Sequence, residues 1–169
     1  MNQIYFIADT HFGDDALRRY ENRPFETTEE MDAAMIAGWN KTVDAQDTIY
    51  HLGDFGAAGR EAEIVRQLSG RILLVKGNHD KQSNEYYRQA GFAEVYDLPV
   101  LFENFWLLSH EPLYVNANMP YANLFGHVHA SPLYKDYSSQ HYCVSVERIG
   151  YQPVAFETIK ETVAKQSLS

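Results

Sequence analysis

Five short motifs rich in aspartate and histidine occur along the chain, and each begins close to the end of an apolar, strand-like run. The motifs are Asp9-Thr10-His11, Gly53-Asp54, Gly77-Asn78-His79-Asp80, the isolated His110, and Gly126-His127-Val128-His129. In open α/β sheets, ligands bind in the crevice beyond the carboxyl ends of the strands. The five motifs can therefore converge on one site, although they are distant in the sequence.

The strand-like runs alternate with helical patterns, which predicts an α/β layered domain. The expected strands are Ile4–Ala8, Thr48–Leu52, Ile72–Val75, a pair formed by Val95–Phe102 and Phe105–Leu108, then Ala122–Phe125, Tyr142–Val146 and Pro153–Phe156. The clearest helix begins at a capping box formed by Thr27 and Glu30. With 169 residues and neither a repeat nor a linker-like stretch, we expect a single domain over residues 1–169.

Composition and charge exclude several classes of protein. A single cysteine, Cys143, excludes a disulfide framework and a multi-thiolate metal site. The formal net charge of −9 disfavours a long nucleic acid as partner. No apolar run is long enough to span a membrane, and the first residues lack the pattern of a signal peptide. We therefore expect a cytoplasmic protein that acts on a small molecule.

The side chains of the five motifs suit metal ions. They offer two carboxylates, four imidazoles and one carboxamide, from Asp9, Asp54, His11, His110, His127, His129 and Asn78. Oxygen and nitrogen donors without a thiolate favour manganese, iron, zinc and similar divalent ions. One tetrahedral ion needs only three or four ligands, whereas seven donors can hold two ions about 3.5–4 Å apart. We expect two ions, with manganese first and iron, zinc, nickel or cobalt as alternatives.

This series of motifs resembles the calcineurin-like metallophosphoesterase superfamily. Within it, the chain resembles a small bacterial and phage group of predicted phosphoesterases in the segments Asn22-Arg23-Pro24-Phe25, Glu30-Met31-Asp32 and Trp39-Asn40. The resemblance implies a β-sandwich of two mixed sheets flanked by helices. It also implies one metal on Asp9, His11, Asp54 and His129, and a second on Asp54, Asn78, His110 and His127, so that Asp54 bridges them. His79 matches the catalytic histidine, and Asp80 matches the acid that orients it.

The function that follows is hydrolysis of a small phosphodiester or phosphomonoester. A water that bridges two metals loses a proton near neutral pH and can attack phosphorus in line. His79 is the natural acid to protonate the leaving group. Two alternatives stay open: a protein-interaction scaffold on the same fold, and a nuclease. The substrate and the oligomeric state are open as well.

Three further residues have an interpretation of their own. Arg23 lies in a long polar segment, where it could clamp a phosphate oxygen or the leaving group, or pair at the surface with Glu21 or Glu26. We expect His51 to be a hydrogen-bonded core histidine and His141 to be exposed to solvent.

Overall fold

The computed structural model describes residues 2–134 and 138–167, which form two mixed sheets with helices packed against them. In spatial order, the first sheet contains β4 (Glu94–Tyr96), β3 (Arg71–Val75), β2 (Thr48–His51), β1 (Ile4–Ile7) and β9 (Val154–Ala155). The second contains β5 (Val100–Phe102), β6 (Trp106–Leu108), β7 (Ala122–Phe125) and β8 (His141–Cys143). The helices of the described residues are α1 (Asp15–Tyr20), α2 (Thr28–Thr42), α3 (Glu61–Val65), α4 (Asn84–Ala90), α5 (Val146–Ile149) and α6 (Phe156–Gln166).

Most strands are parallel to their neighbours, so that their carboxyl ends meet at one edge. In the first sheet β1 to β4 are parallel and β9 is antiparallel, while in the second β6 to β8 are parallel and β5 is antiparallel. A parallel bridge from Ala8 to Ser145 joins the two sheets at this edge. The predicted α/β sandwich of two mixed sheets is confirmed.

The side chains of β1 alternate between two hydrophobic layers. Phe6 packs in a core with Leu108 of β6 and other residues of the second sheet, whereas Ile7 packs in the other core with Trp39 of α2. The capping box is confirmed, because the Thr27 hydroxyl accepts the Glu30 N–H at 3.1 Å. None of the helices in residues 2–134 and 138–167 is long and apolar enough to cross a bilayer.

The structure differs from the sequence-based expectation in several segments. The polar segment after Phe12 contains α1, whose start is capped by the carboxylate of Asp14. The run Val95–Phe102 is two strands in different sheets, and the break falls at Pro99, which has no N–H to continue a ladder. The predicted pairing is therefore correct only for β5 and β6.

The two remaining histidines are both buried. His51 is hydrogen-bonded in the core as expected, 2.9 Å from the Thr10 hydroxyl. The expectation of an exposed His141 is wrong: its side chain lies 2.8 Å from the Leu113 carbonyl and 2.9 Å from the Ser138 hydroxyl. Ser138 is only three residues before His141, but Leu113 belongs to a loop 28 residues earlier, and the local sequence pattern does not indicate that contact.

The buried His51 should make the fold sensitive to acid. The Thr10 hydroxyl donates to the Phe55 carbonyl at 2.6 Å, so His51 Nε2 must be the donor toward Thr10, while the buried Nδ1 has no hydrogen-bond partner among the described residues. Burial lowers the pKa of His51 to about 3. The unfolded chain, with a histidine pKa near 6.5, therefore binds the extra proton as the pH falls below about 6.5.

We compare the free energy of unfolding of the native protein with that of a His51→Gln variant. As the pH is lowered from about 6 to 4, the value for the native protein should fall relative to the variant by about 1.4 kcal/mol per pH unit. Glutamine keeps a donor for the Thr10 hydroxyl but does not titrate. Urea denaturation of both chelator-treated proteins across this range measures the difference, and parallel curves would contradict the assignment.

Candidate metal centre

All seven predicted donors lie beyond the carboxyl ends of strands at the edge where the two sheets meet. Asp9 and His11 follow β1, Asp54 follows β2, Asn78 follows β3, His110 follows β6, and His127 and His129 follow β7. Because these strands belong to both sheets, the site is built from the whole sandwich rather than from one sheet.

The backbone at this edge turns sharply. Five of the seven donor residues have a positive φ: Asp9 (60°), His11 (47°), Asp54 (58°), His127 (69°) and His129 (47°). Such angles are uncommon for residues other than glycine and cluster at functional sites. Side chains at positions i and i+2 point the same way in an extended segment, but here the pairs Asp9/His11 and His127/His129 are brought together by left-handed turns.

One group of donors consists of Asp9, His11 and His129, whose ligand atoms lie within 4.8 Å of one another. All three side chains are largely buried. The other Asp9 oxygen, Oδ2, accepts the Ser145 hydroxyl at 2.6 Å and the His127 N–H at 2.8 Å. These two bonds fix the carboxylate so that Oδ1 faces the imidazoles.

Asp54 connects this group to the remaining donors. Its Oδ2 lies 3.5 Å from His11 Nε2 and 3.3 Å from His110 Nε2. Asn78 Oδ1 in turn lies 2.9 Å from His110 Nε2 and 3.0 Å from His127 Nδ1. The seven donors therefore form one continuous cluster, in which Asp54 lies between His11 and His110, and Asp9 is also within reach of Asp54 and His110.

The residues fit a pair of cations. Asp9 Oδ1 and His11 Nε2 are buried and have no hydrogen-bond partner among the described residues. Burying a polar atom without a partner costs free energy, which a bound ion would offset. Burial lowers the pKa of His110, but Asp54 and Asp9 outweigh it and raise that pKa to about 9. The field of the two carboxylates thus favours positive charge at this position.

Glycine is required where two motif loops approach each other. A Cβ on Gly53, whose φ is +94°, would lie 2.5 Å from His110 Nδ1 and 2.6 Å from the Gly77 nitrogen. No side chain fits there without moving a donor. The glycines of these motifs therefore allow the Asp54 and Asn78 loops to pack against each other.

His79 lies at the rim of the site. Its side chain is exposed, its ring centroid is 5.2 Å from that of His11, and its backbone N–H donates to Asp54 Oδ1 at 2.8 Å. The ring is free to meet a ligand, while the backbone helps to hold Asp54.

Asp80 does not orient His79, so this expectation is wrong. Its buried carboxylate accepts the backbone N–H groups of Asp54 (2.7 Å), Gly77 (2.8 Å) and Phe55 (3.1 Å). No hydrogen bond joins it to the His79 ring in the described part of the chain. Two of these donors lie in the tight turn after β2 and the third lies after β3, so Asp80 ties the Asp54 loop to the loop after β3.

Arg23 is also placed differently from either expectation. Its side chain is 0% exposed and binds Glu147, the Thr10 carbonyl and the Asp9 carbonyl. It pairs with neither Glu21 nor Glu26 and lies too deep to clamp a substrate phosphate. The reason is that the left-handed turn after β1 directs backbone carbonyls inward, where a guanidinium can satisfy them.

Sequence reasoning missed two polar residues at the site, Ser145 and Glu147. Both follow β8, and they contact Asp9 and His129 respectively. The expected strand Tyr142–Val146 is too long, because β8 ends at Cys143 and α5 begins at Val146. The signal that locates the other motifs, polar residues just after an apolar strand, would also have indicated these two.

Clefts open on both sides of the donors. One, of about 430 Å³, is lined by residues that include His127, His129 and Leu133. The other, of about 270 Å³, is lined by residues that include Asn78, His110 and Lys76. A ligand centred on the donors therefore has room for a group on either side.

Comparison with known proteins agrees with this geometry. Residues 2–145 match the model of the calcineurin-like phosphoesterase superfamily domain. An uncharacterized protein of Methanocaldococcus jannaschii, MJ1445, is 32% identical over 174 residues, which cover 98% of this chain and 93% of that protein. The Gene 66 protein of Mycobacterium phage L5 is 31% identical over 85 residues, 47% of this chain and 41% of that protein.

A solved structure is also similar. The crystal structure of AQ665, a protein of unknown function from Aquifex aeolicus, matches with a TM-score of 0.75 and 26% identity, covering 95% of this chain and 99% of that one. The family match, the two mixed sheets and the clustered Asp and His donors all agree. This chain belongs to the calcineurin-like phosphoesterase superfamily.

Proposed function

We propose that this chain is a two-metal phosphoesterase that hydrolyses a small phosphodiester or phosphomonoester. The observation that carries the proposal is the position of the buried Asp54 Oδ2, 3.5 Å from His11 Nε2 and 3.3 Å from His110 Nε2, between two neighbouring sets of possible ligands. Family membership supports a metal-dependent phosphoesterase in general. The number of ions, the mechanism and the substrate are our inference.

The seven donors divide between two positions. Asp9, His11, Asp54 and His129 would hold one ion, and Asp54, Asn78, His110 and His127 the other. When bound, two such ions supply a hydroxide nucleophile at neutral pH and offset the negative charge of the phosphoryl oxygens. Manganese suits this oxygen and nitrogen set, which iron, zinc, nickel and cobalt could also occupy.

The chain itself supplies the acid for the leaving group. The exposed His79 ring beside His11 is the group best placed to give a proton to the ester oxygen as it departs. Asp80 acts one step away, since it fixes the backbone on which Asp54 and His79 are carried. We therefore assign His79 a catalytic role and Asp80 a positioning role.

The surroundings of the site favour a small substrate. The clefts of about 430 and 270 Å³ can each take a modest organic group. The net charge of −9 would repel a long phosphate backbone, which disfavours a nuclease. The complete set of donors disfavours a scaffold role, because a scaffold has no need of buried polar atoms that lack a partner.

Removal of metal should abolish activity reversibly. We expect the chelator-treated protein to be inactive toward bis(p-nitrophenyl) phosphate and p-nitrophenyl phosphate, and added Mn²⁺ to restore hydrolysis of at least one, at close to two ions per chain. Elemental analysis and initial rates across Mn²⁺, Ni²⁺, Zn²⁺ and Mg²⁺ measure both. Circular dichroism of the chelated protein controls for unfolding. A folded protein that stays inert with every metal, or retains none, would contradict the proposal.

A further inference from the structure

Arg23 and Glu147 form an ion pair in the protein interior. The Arg23 side chain is 0% exposed and that of Glu147 is 4% exposed, with Nη2 and Oε1 2.8 Å apart. Arg23 Nε donates to the same oxygen at 2.9 Å. A buried ion pair is expensive to desolvate, and hydrophobic residues of similar size often give a more stable fold. A pair at this position therefore points to a role other than stability.

The remaining Arg23 donors bind the backbone between two metal donors. Nη1 donates to the Thr10 carbonyl at 2.7 Å, and Nη2 donates to the Asp9 carbonyl. Asp9 has a left-handed φ of 60°, so its conformation needs support from its surroundings. The planar guanidinium supplies that support, because its rigid fork reaches both carbonyls at once.

Glu147 acts on His129 in a complementary way. Its Oε1 lies 3.0 Å from His129 Nδ1, and an ionised carboxylate only accepts hydrogen bonds. His129 Nδ1 therefore carries a proton, and the lone pair of Nε2 faces Asp9 Oδ1 at 4.0 Å. Second partners of this kind orient a histidine ligand and make it a better donor.

The second group of donors is oriented by other means. His110 Nδ1 lies 2.8 Å from the Leu52 carbonyl, which leaves Nε2 facing Asn78 and Asp54. Within residues 2–134 and 138–167, the side chains of Arg23 and Glu147 have no hydrogen bond to any donor of this group. Glu21, His129 and Glu147 also lie close together, but we do not assign a third ion to them, because the Arg23 guanidinium already supplies a positive charge beside Glu147.

We propose that Arg23 and Glu147 are a positioning pair for one metal position only, the one formed by Asp9, His11 and His129. The inference rests on the proposed two-metal centre. Arg23 shapes the backbone of Asp9, Glu147 orients His129, and the ion pair makes the two adjustments interdependent. The other position, on Asn78, His110 and His127, has no hydrogen bond from the pair and is linked to it only through the His127 N–H that Asp9 accepts, so we expect its affinity to change much less.

The test is a Mn²⁺ titration of Glu147→Gln, followed by electron paramagnetic resonance and elemental analysis. Glutamine preserves the size of the side chain but removes the charge. We expect a loss of about 10- to 100-fold in affinity at one position only. At the lowest free Mn²⁺ that gives the wild type two ions and a spin-coupled spectrum, the variant should hold one ion with the six-line spectrum of isolated Mn²⁺.

Two further variants complete the experiment. Glu61→Gln is the matched control, since Glu61 is 2% exposed and binds only the Gly59 N–H and the Tyr86 hydroxyl among its hydrogen bonds, away from the site. It should bind two ions like the wild type. Arg23→Lys keeps the charge but lacks the planar fork, and we expect the same selective loss as in Glu147→Gln.

The outcomes separate the two proposals. A wild type that never binds two ions contradicts the proposed function itself. A wild type with two ions beside a Glu147→Gln variant of unchanged affinity contradicts the positioning role alone. Equal loss of both ions in Glu147→Gln also contradicts it, because the pair would then support the fold in general. The retained ion and the thermal unfolding curve report that the variant is folded.

Discussion

Asp54→Asn is expected to lower kcat/KM by on the order of 1,000-fold or more, because it removes the carboxylate that lies between His11 and His110, where the proposed centre shares it between two ions. Burial raises the pKa of Asp54, but the adjacent His11 and His110 imidazoles and the His79 backbone N–H outweigh it and hold that pKa well below its usual range. The group is therefore an anion across the whole working range of pH. Asparagine keeps the shape but offers no charge to two cations, so the number of bound ions should fall as well.

Asp47→Asn is the matched control for this variant. Asp47 is buried like Asp54, but it lies before β2 rather than after it and accepts the backbone N–H groups of Gln3 and Asp44. We expect it to lower the midpoint of thermal unfolding without changing kcat/KM or the metal content. Hydrolysis by Asp54→Asn at a rate close to that of the wild type would refute the proposed centre.

His79→Gln is expected to act according to the leaving group. General acid catalysis contributes about 100- to 10,000-fold, and a poor leaving group such as an alkoxide needs it most. The variant should therefore lose about this factor with an alkyl phosphate ester and much less with a p-nitrophenyl ester. Its metal content should stay unchanged, since the backbone N–H that supports Asp54 is retained. Rates over a series of esters with leaving groups of graded pKa measure the effect.

Lys81→Gln tests whether the effect belongs to His79 or to positive charge in the loop. Lys81 is exposed and lies two residues away in the same loop. We expect its substitution to change the rates little and equally for all esters. A uniform decrease across the ester series in His79→Gln would show that the residue binds the phosphate rather than protonates the leaving group.

The metal ligands could be predicted because each follows an apolar run that the sequence identifies as a strand. Parallel neighbours bring Asp9, Asp54 and Asn78 to one edge, and no detail of side-chain conformation is needed for that step. The helix that begins at Thr28 could also be predicted, because its N-cap and its row of buried apolar side chains are local features of the sequence. Local pattern and parallel pairing together account for the predicted part of the site.

The contacts behind the donors could not be predicted in the same way. Arg23 turns inward because Asp9 and Thr10 present carbonyls to it, and Asp80 binds backbone N–H groups of a loop 25 residues away. Both contacts depend on left-handed turns, which the hydrophobic periodicity of the sequence does not predict. Glu147 belongs to a short helix that begins where the pattern suggested a strand. The positions of Arg23 and Asp80 are set by hydrogen bonds to backbone groups that are distant in the sequence.

The bridge between Ala8 and Ser145 has a consequence for the energetics of the whole sandwich. It joins the two sheets at the edge where both supply the proposed metal ligands, so binding of ions there would also stabilise the alignment of the sheets. Without the ions, the contact between the two sheets at Ala8 and Ser145 would be weaker, and this would destabilise strands of both sheets. Removal of the proposed ions would then lower the free energy of unfolding of the sandwich as well as the activity.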